Sequence, residues 1–87
     1  MNVAFSGKCA IDGLAGVSFQ ATVDGVNIVC RVNTNALQDI DPPNRMNESL
    51  SQFESNQSAF QNIAERLIRN GRVKDGQLFI TEADLHA

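Results

Sequence analysis

The sequence predicts an α+β domain. A small antiparallel sheet, built from a hairpin over 17–32 with N- and C-terminal strands beside it, packs on one long helix over about 46–70. Three observations predict it. Phe53, Asn56, Phe60, Ile63, Ala64, Leu67 and Ile68 recur at intervals of three and four, the period of a helix with one covered face, while Glu54, Ser58, Gln61, Glu65 and Arg69 point away. Val17, Phe19, Ala21 and Val23 alternate with Ser18, Gln20 and Thr22, and the same period returns after Asp24-Gly25 through Val26, Ile28, Cys30 and Val32. Between hairpin and stripe, Asp41-Pro42-Pro43 breaks the chain, because prolines supply no donor and the residue before a proline resists the helical region.

Taken in order, Asn2 to Phe5 alternates and reads as a short strand, interrupted at Ser6-Gly7-Lys8 and resumed over Cys9 to Ile11 before Asp12-Gly13 turns the chain. Asp24-Gly25 suits a two-residue type I′ turn, since both central positions need positive φ. That turn pairs Val23 with Val26, Ala21 with Ile28, Phe19 with Cys30 and Val17 with Val32, apolar on both strands at every step. A slip of one residue would mix both faces. Asn33 or Thr34 caps a short helix through Ile40, with Ala36, Leu37 and Ile40 inward. Met46, Leu50 and Phe53 carry the long stripe backwards, with Asn47 as its cap; alternatively Ser51-Gln52-Phe53-Glu54 is a capping box at which the helix starts or restarts. The expected irregularity therefore lies near 49–51. Arg66 and Arg69 complement the helix dipole, and Asn70-Gly71 supplies the stop. Gln77 to Thr81 reads as a final strand added to the sheet, and Thr81-Glu82-Ala83-Asp84 as the cap of one last turn, with His86 and Ala87 fraying.

A chain of 87 residues with a hydrophobic fraction of 43% holds one domain, 1–87, and one core. Seven basic against ten acidic side chains give a net charge of −3, which disfavours general nucleic-acid affinity because phosphate binding is driven by counterion release. No apolar run approaches the roughly 18 residues of a membrane span. The N-terminus has neither the basic lead nor the continuous apolar segment of a signal peptide, which places the chain in the cytoplasm with Cys9 and Cys30 as thiols. With no CxxC pair and a single His, neither a metal nor a redox site is signalled, and no cofactor is expected.

Few side chains stand out as functional. Cys30 reads as a small apolar residue opposite Phe19, and His86 as a solvated tail residue. Asn56 and Gln57 fall within or beside the apolar arc; such amides either bond loop backbone at the sheet edge or face a small pocket. Arg66, Arg69, Arg72 and Lys74 gather four of the seven cations, either as solvated helix-end charges or as a patch for an anionic partner. The outer sheet face, with Ser18, Gln20, Thr22, Asn27, Val29 and Arg31, suits exposure or a symmetric contact. The candidate contact residues are thus Arg31, Asn56, Gln57, Arg66, Arg69 and Arg72.

The order of pieces also carries a resemblance. Val17-Ser18-Phe19-Gln20-Ala21, Asp24-Gly25, Ile28-Val29-Cys30-Arg31-Val32, Ala36-Leu37, Phe53 with Asn56, and Ile63-Ala64-Glu65 resemble the domain-of-unknown-function 1488 family of small bacterial proteins, over nearly the whole chain. The resemblance implies a bacterial single-domain protein and brings no activity, ligand or site residue. From the residues themselves, the absence of a nucleophile–base pair, a metal cluster and a GxxxxGK[ST] loop points away from an enzyme. The expectation is a non-enzymatic interaction or regulatory module whose partner is a second copy or another protein. The alternatives are nucleic-acid binding through 66–74, which the net charge disfavours, and a small-molecule site near Asn56.

Overall fold

The Asp24-Gly25 turn sets the sheet. Both residues adopt positive φ, 51° and 86°, as a type I′ turn requires. It joins strand β2 (Gly16–Val23) to strand β3 (Val26–Val32) with Val23 opposite Val26, Ala21 opposite Ile28, Phe19 opposite Cys30 and Val17 opposite Val32, the register the alternation predicts. The computed structural model describes residues 2–12, 16–40 and 49–86. The Pro42-Pro43 break, Gly13, Met46, the Asn47 cap and Ala87 lie outside the described residues.

Strand β1 (Val3–Asp12) pairs antiparallel with β2 and contains the predicted interruption as a bulge between Phe5 and Cys9. Phe5 faces Ala21 and Cys9 faces Phe19, so β1 spends four steps against two in β2, and Gly7 absorbs the excess at φ 81°. Because the excess is even, Val3, Phe5 and Cys9 stay on one face. At the far end of β2, Gly16 approaches the end of β3 so closely that a Cβ there would lie 2.3 Å from the Val32 carbonyl oxygen.

After β3, Asn33 caps helix α1 (Thr34–Ile40), its side-chain oxygen accepting from the Ala36 N–H at 2.8 Å. Ala36 and Leu37 are buried, and Ile40 packs against the core from its margin.

The long helix is divided. Helix α2 covers Ser49–Ser55 and helix α3 Gln57–Arg69, with Asn56 between them at φ −124° and ψ 23°. The interruption falls at Asn56 and not near 49–51, and Ser51 lies inside α2 without serving as a cap. The cause is local: the Asn56 N–H donates back to Phe53 O at 3.0 Å, and its side-chain amide donates to Gln52 O at 2.9 Å. An asparagine side chain that takes a backbone acceptor competes with the helix at that point. The stripe survives the break, since Phe53, Phe60, Ala64, Leu67 and Ile68 are all buried. At its C-terminus α3 closes as predicted, with Gly71 at φ 77°, Gly71 N–H to Ile68 O and Arg72 N–H to Leu67 O.

Strand β4 (Gln77–Ile80) follows a second Asp-Gly turn, with Asp75 and Gly76 at φ 54° and 74°. The expected antiparallel sheet is found in its first three strands, and β4 departs from it. β4 lies beside β3 and runs parallel to it, Val29 opposite Gln77 and Val32 opposite Ile80, so the sheet has the order β1-β2-β3-β4 and is mostly antiparallel. Helices α1, α2 and α3 lie between β3 and β4, and a crossover of that length can return the chain in the original direction. A 3-10 turn over Glu82–His86 ends the described chain.

The core lies between sheet and helices. Val17, Phe19, Ala21, Ile28, Cys30, Val32, Leu78 and Ile80 meet the helical stripe, and four rings run through it in series. Phe5 to Phe19, Phe19 to Phe53 and Phe53 to Phe60 are separated by 6.1, 4.9 and 5.5 Å between centroids, the range of favourable aromatic pairs.

Candidate binding surface

Alternation along the strands turns one face of the sheet into this core and leaves the other open. Two rows cross the open face in the observed register. Phe79 lies beside Arg31, Arg31 beside Ser18 and Ser18 beside Ala10; one step along, Gln77 lies beside Val29 and Val29 beside Gln20. Lys74 pairs antiparallel with Gln77 across the Asp75-Gly76 turn and so extends the second row past β4. Lys8 stands at the opposite end, where it lines a small depression with Cys9, Ala10, Ser18, Phe19 and Gln20. Phe79 is 60% exposed, whereas Phe19, Phe53 and Phe60 are buried and Phe5 is half-buried. Beside Phe79, a depression of about 330 Å³ is lined by Arg72, Lys74, Asp75, Gln77 and Phe79.

The charges are segregated by this layering. Lys8, Arg31, Arg72 and Lys74 lie on the open face or its rim together with Asp75, while Asp12 ends β1 and Asp24 opens the β2–β3 turn. Asp39, Glu54, Glu65, Glu82 and Asp84 belong to the helices and the 3-10 turn. A net charge of −3 thus coexists with a cluster of cations on the open face and its rim.

The sequence-predicted contact residues do not form one site. Arg31 is half-buried at the centre of the open face. Asn56 and Gln57 sit at the α2–α3 junction, where the Asn56 amide is held by Gln52 O and the Gln57 amide donates to Gly7 O at 3.4 Å, tying the β1 bulge to the helices. The predicted 66–74 patch is divided. The Arg66 guanidinium donates to Asp84 O, locking the 3-10 turn onto α3. Arg69 pairs with Glu65 at 3.0 Å on the same helix. Arg72 reaches the Asp84 carboxylate at 3.8 Å but stays 58% exposed, and Lys74 belongs to the open sheet face. Asp84 itself is buried and accepts from the Thr81 N–H and hydroxyl, the cap the sequence predicts there.

Reading the sequence alone missed Phe79 and Lys8. A signal for Phe79 exists: in the run Leu78-Phe79-Ile80, period two obliges the middle residue to face away from its neighbours. Lys8 had no such signal, because its place depends on the bulge.

The two thiols are separated, and each is held above the ordinary cysteine range. Cys9 and Cys30 flank Phe19 on adjacent strands, two strand spacings or roughly 9.5 Å apart, too far for a disulfide. Burial pushes the Cys30 thiol up to about 12, and burial together with the Glu54 carboxylate raises that of Cys9. Neither supplies a thiolate at neutral pH. Among the described residues no three His, Cys, Asp or Glu side chains gather as a metal site, and no helix is long and apolar enough to cross a membrane.

Comparison with known proteins agrees with the fold. No curated protein matches the chain. A crystal structure of a protein of unknown function from the DUF1488 family of Shewanella loihica PV-4 superposes with a TM-score of 0.77 at 25% identity, covering 92% of this chain and 94% of that one. The family model described as "Protein of unknown function (DUF1488)" matches residues 9–80, from the second half of β1 to the last residue of β4, and the chain belongs to that family.

Proposed function

We propose that the protein is a non-enzymatic interaction module whose contact surface is the open face of the sheet, and that its partner presents anionic groups there. The observation that carries this reading is Phe79, a large apolar ring 60% exposed on the open face beside Arg31, Arg72 and Lys74, with Asp75 lining the same depression. A ring that contributes nothing to the core and is set among positive charges has the makings of a contact anchor. The cationic face supplies steering and register more than raw affinity.

The reading is tested on immobilised heparin at low salt and neutral pH. Net charge alone predicts that the protein flows through; the cationic face predicts retention. Lys74→Glu and Arg69→Glu change the net charge equally, but only the first alters the open face. Release of Lys74→Glu with retention of Arg69→Glu supports the reading. Equal behaviour of the two variants, or flow-through of the wild type, rejects it.

A further inference from the structure

We infer that the open face takes single-stranded nucleic acid, an inference that rests on the reading above and names the partner's class. Three features of the face select it.

The first is the interruption of both sheet edges, which shortens the ladder an extended peptide could join. β1 carries the bulge at Gly7. Along β4, the Gly76 and Ile80 carbonyls accept from Val29 and Asn33, so alternate residues of β4 serve β3 and the others face outward. Gln77 is taken in both directions by Lys74, and the Thr81 N–H by the Asp84 carboxylate. Phe79 alone turns its main chain to the free edge, one residue's worth of ladder.

The second is the character of the face itself. Apart from Phe79 and half-buried Val29 its apolar groups are alanines, too little oily surface for an amphipathic helix to cover. What it offers is a ring, the amides of Gln20, Gln77 and Asn27, and the hydroxyls of Ser18 and Thr22. Stacking on an exposed aromatic and hydrogen bonding to splayed base edges use such groups, and every base has a face to stack.

The third is the placing of charge. Lys74 and Lys8 bound the second row, roughly 19 Å apart across four strand spacings, with Arg31 and Phe79 one step away and Arg72 at the rim. A phosphodiester strand laid across the strands meets a cation at each side and the ring between them. A second copy brought face to face would meet the same sign of charge.

The experiment is fluorescence anisotropy of a labelled twelve-nucleotide oligouridylate and oligothymidylate, with a duplex of equal length, at low salt. Two variants accompany the wild type: Phe79→Ala, and Phe79→Trp, which gives the chain its sole tryptophan. The inference expects the single strands to bind more tightly than the duplex, with log K falling against log salt at a slope of about −2 to −3 for three or four phosphates neutralised. Phe79→Ala loses roughly tenfold in affinity while keeping its circular dichroism, and Phe79→Trp keeps the affinity and is quenched by the oligonucleotide. No binding at low salt, a duplex bound as tightly as the single strand, unquenched tryptophan at saturation, or equal competition by polyglutamate overturns the inference. If any of these occurs while heparin still retains the wild type and releases Lys74→Glu, the anionic-partner reading stands and only the nucleic acid is removed.

Discussion

The two faces of the sheet use the same kinds of residue to different ends, and Phe60 and Phe79 mark the contrast. Phe60 is fully buried, stacked on Phe53 at 5.5 Å and continuous with Phe19 and Phe5 through the core. Phe79, one strand residue from buried Leu78 and Ile80, has water on most of its surface. The covered face is specified by volume: each ring excludes alternatives, and the helices above it hold the set in register. The open face is specified by charge and by what it lacks, since nothing in the fold depends on the ring at its edge. Stability therefore lives on one side of the sheet and recognition is free to live on the other.

The largest expected effect tests the covered side. Phe60→Ala removes a fully buried ring and leaves a cavity, at a cost of about 3–5 kcal/mol. At roughly 4–8 °C per kcal/mol for a domain of this size, the melting temperature should drop by at least about 12 °C, if the variant folds at all. Thermal melts by circular dichroism read this directly, and a melt within about 2 °C of wild type would show that the aromatic series is not what holds the layers together. Gly16→Ala comes next. Its Cβ would stand 2.3 Å from a backbone oxygen that no side-chain rotation can move, so β2 or β3 must shift, at about 1–3 kcal/mol.

Why one face was legible in the sequence and the other was not follows from the same contrast. Periodicity reports which residues of a strand or helix share a side, and burial imposes periodicity only where there is a core. The hairpin could be read to the residue, because Val17 to Val32 is apolar at every inward pair and Asp24-Gly25 admits one turn type. The helical stripe was read correctly through a break whose position was not: Asn56 was visible within the stripe, yet the bonds from its backbone N–H to Phe53 O and from its amide to Gln52 O mark it as the junction. The direction of β4 depends on the path of the crossover, which leaves no trace in Gln77 to Ile80. The open face suffers most, because its members come from four strands and a turn. Lys8, Arg31 and Lys74 share a face only through strand order and a bulge, whereas Arg66 to Lys74 are close in sequence and are parted by the end of α3.

A smaller effect probes the seam where sheet passes into helix. Asn33 caps α1 through its oxygen and donates its amide to the Glu82 carboxylate at 3.0 Å, joining the two ends of the helical layer. Asn33→Ala should cost about 0.5–2 kcal/mol, the range of a lost cap. The pH dependence separates the two roles. The Glu82 carboxyl is held below its ordinary range by its own backbone N–H and then by the Asn33 amide. A lowered folded-state value stabilises above the unfolded value and is lost as pH falls through the folded one. In wild type, denaturant midpoints should therefore decline through the acidic carboxylate range. In Asn33→Ala that decline should be shallower, since one of the three groups holding the proton off has gone, leaving the Glu82 backbone N–H and the Asn35 side chain.

The smallest expected effect decides whether the comparison is sound. Phe79→Ala should change stability by no more than about 0.5 kcal/mol in either direction, because its ring is mostly in water and its backbone bonds do not involve the side chain. Chemical denaturation of wild type and variant side by side, with equal slopes, measures it. A loss near that of Phe60→Ala would mean that Phe79 is part of a core after all and that the open face is covered within the molecule. A null result in stability is the informative one: it makes Phe79 a ring the fold does not need, and any loss of binding on its removal can then be assigned to contact and not to unfolding.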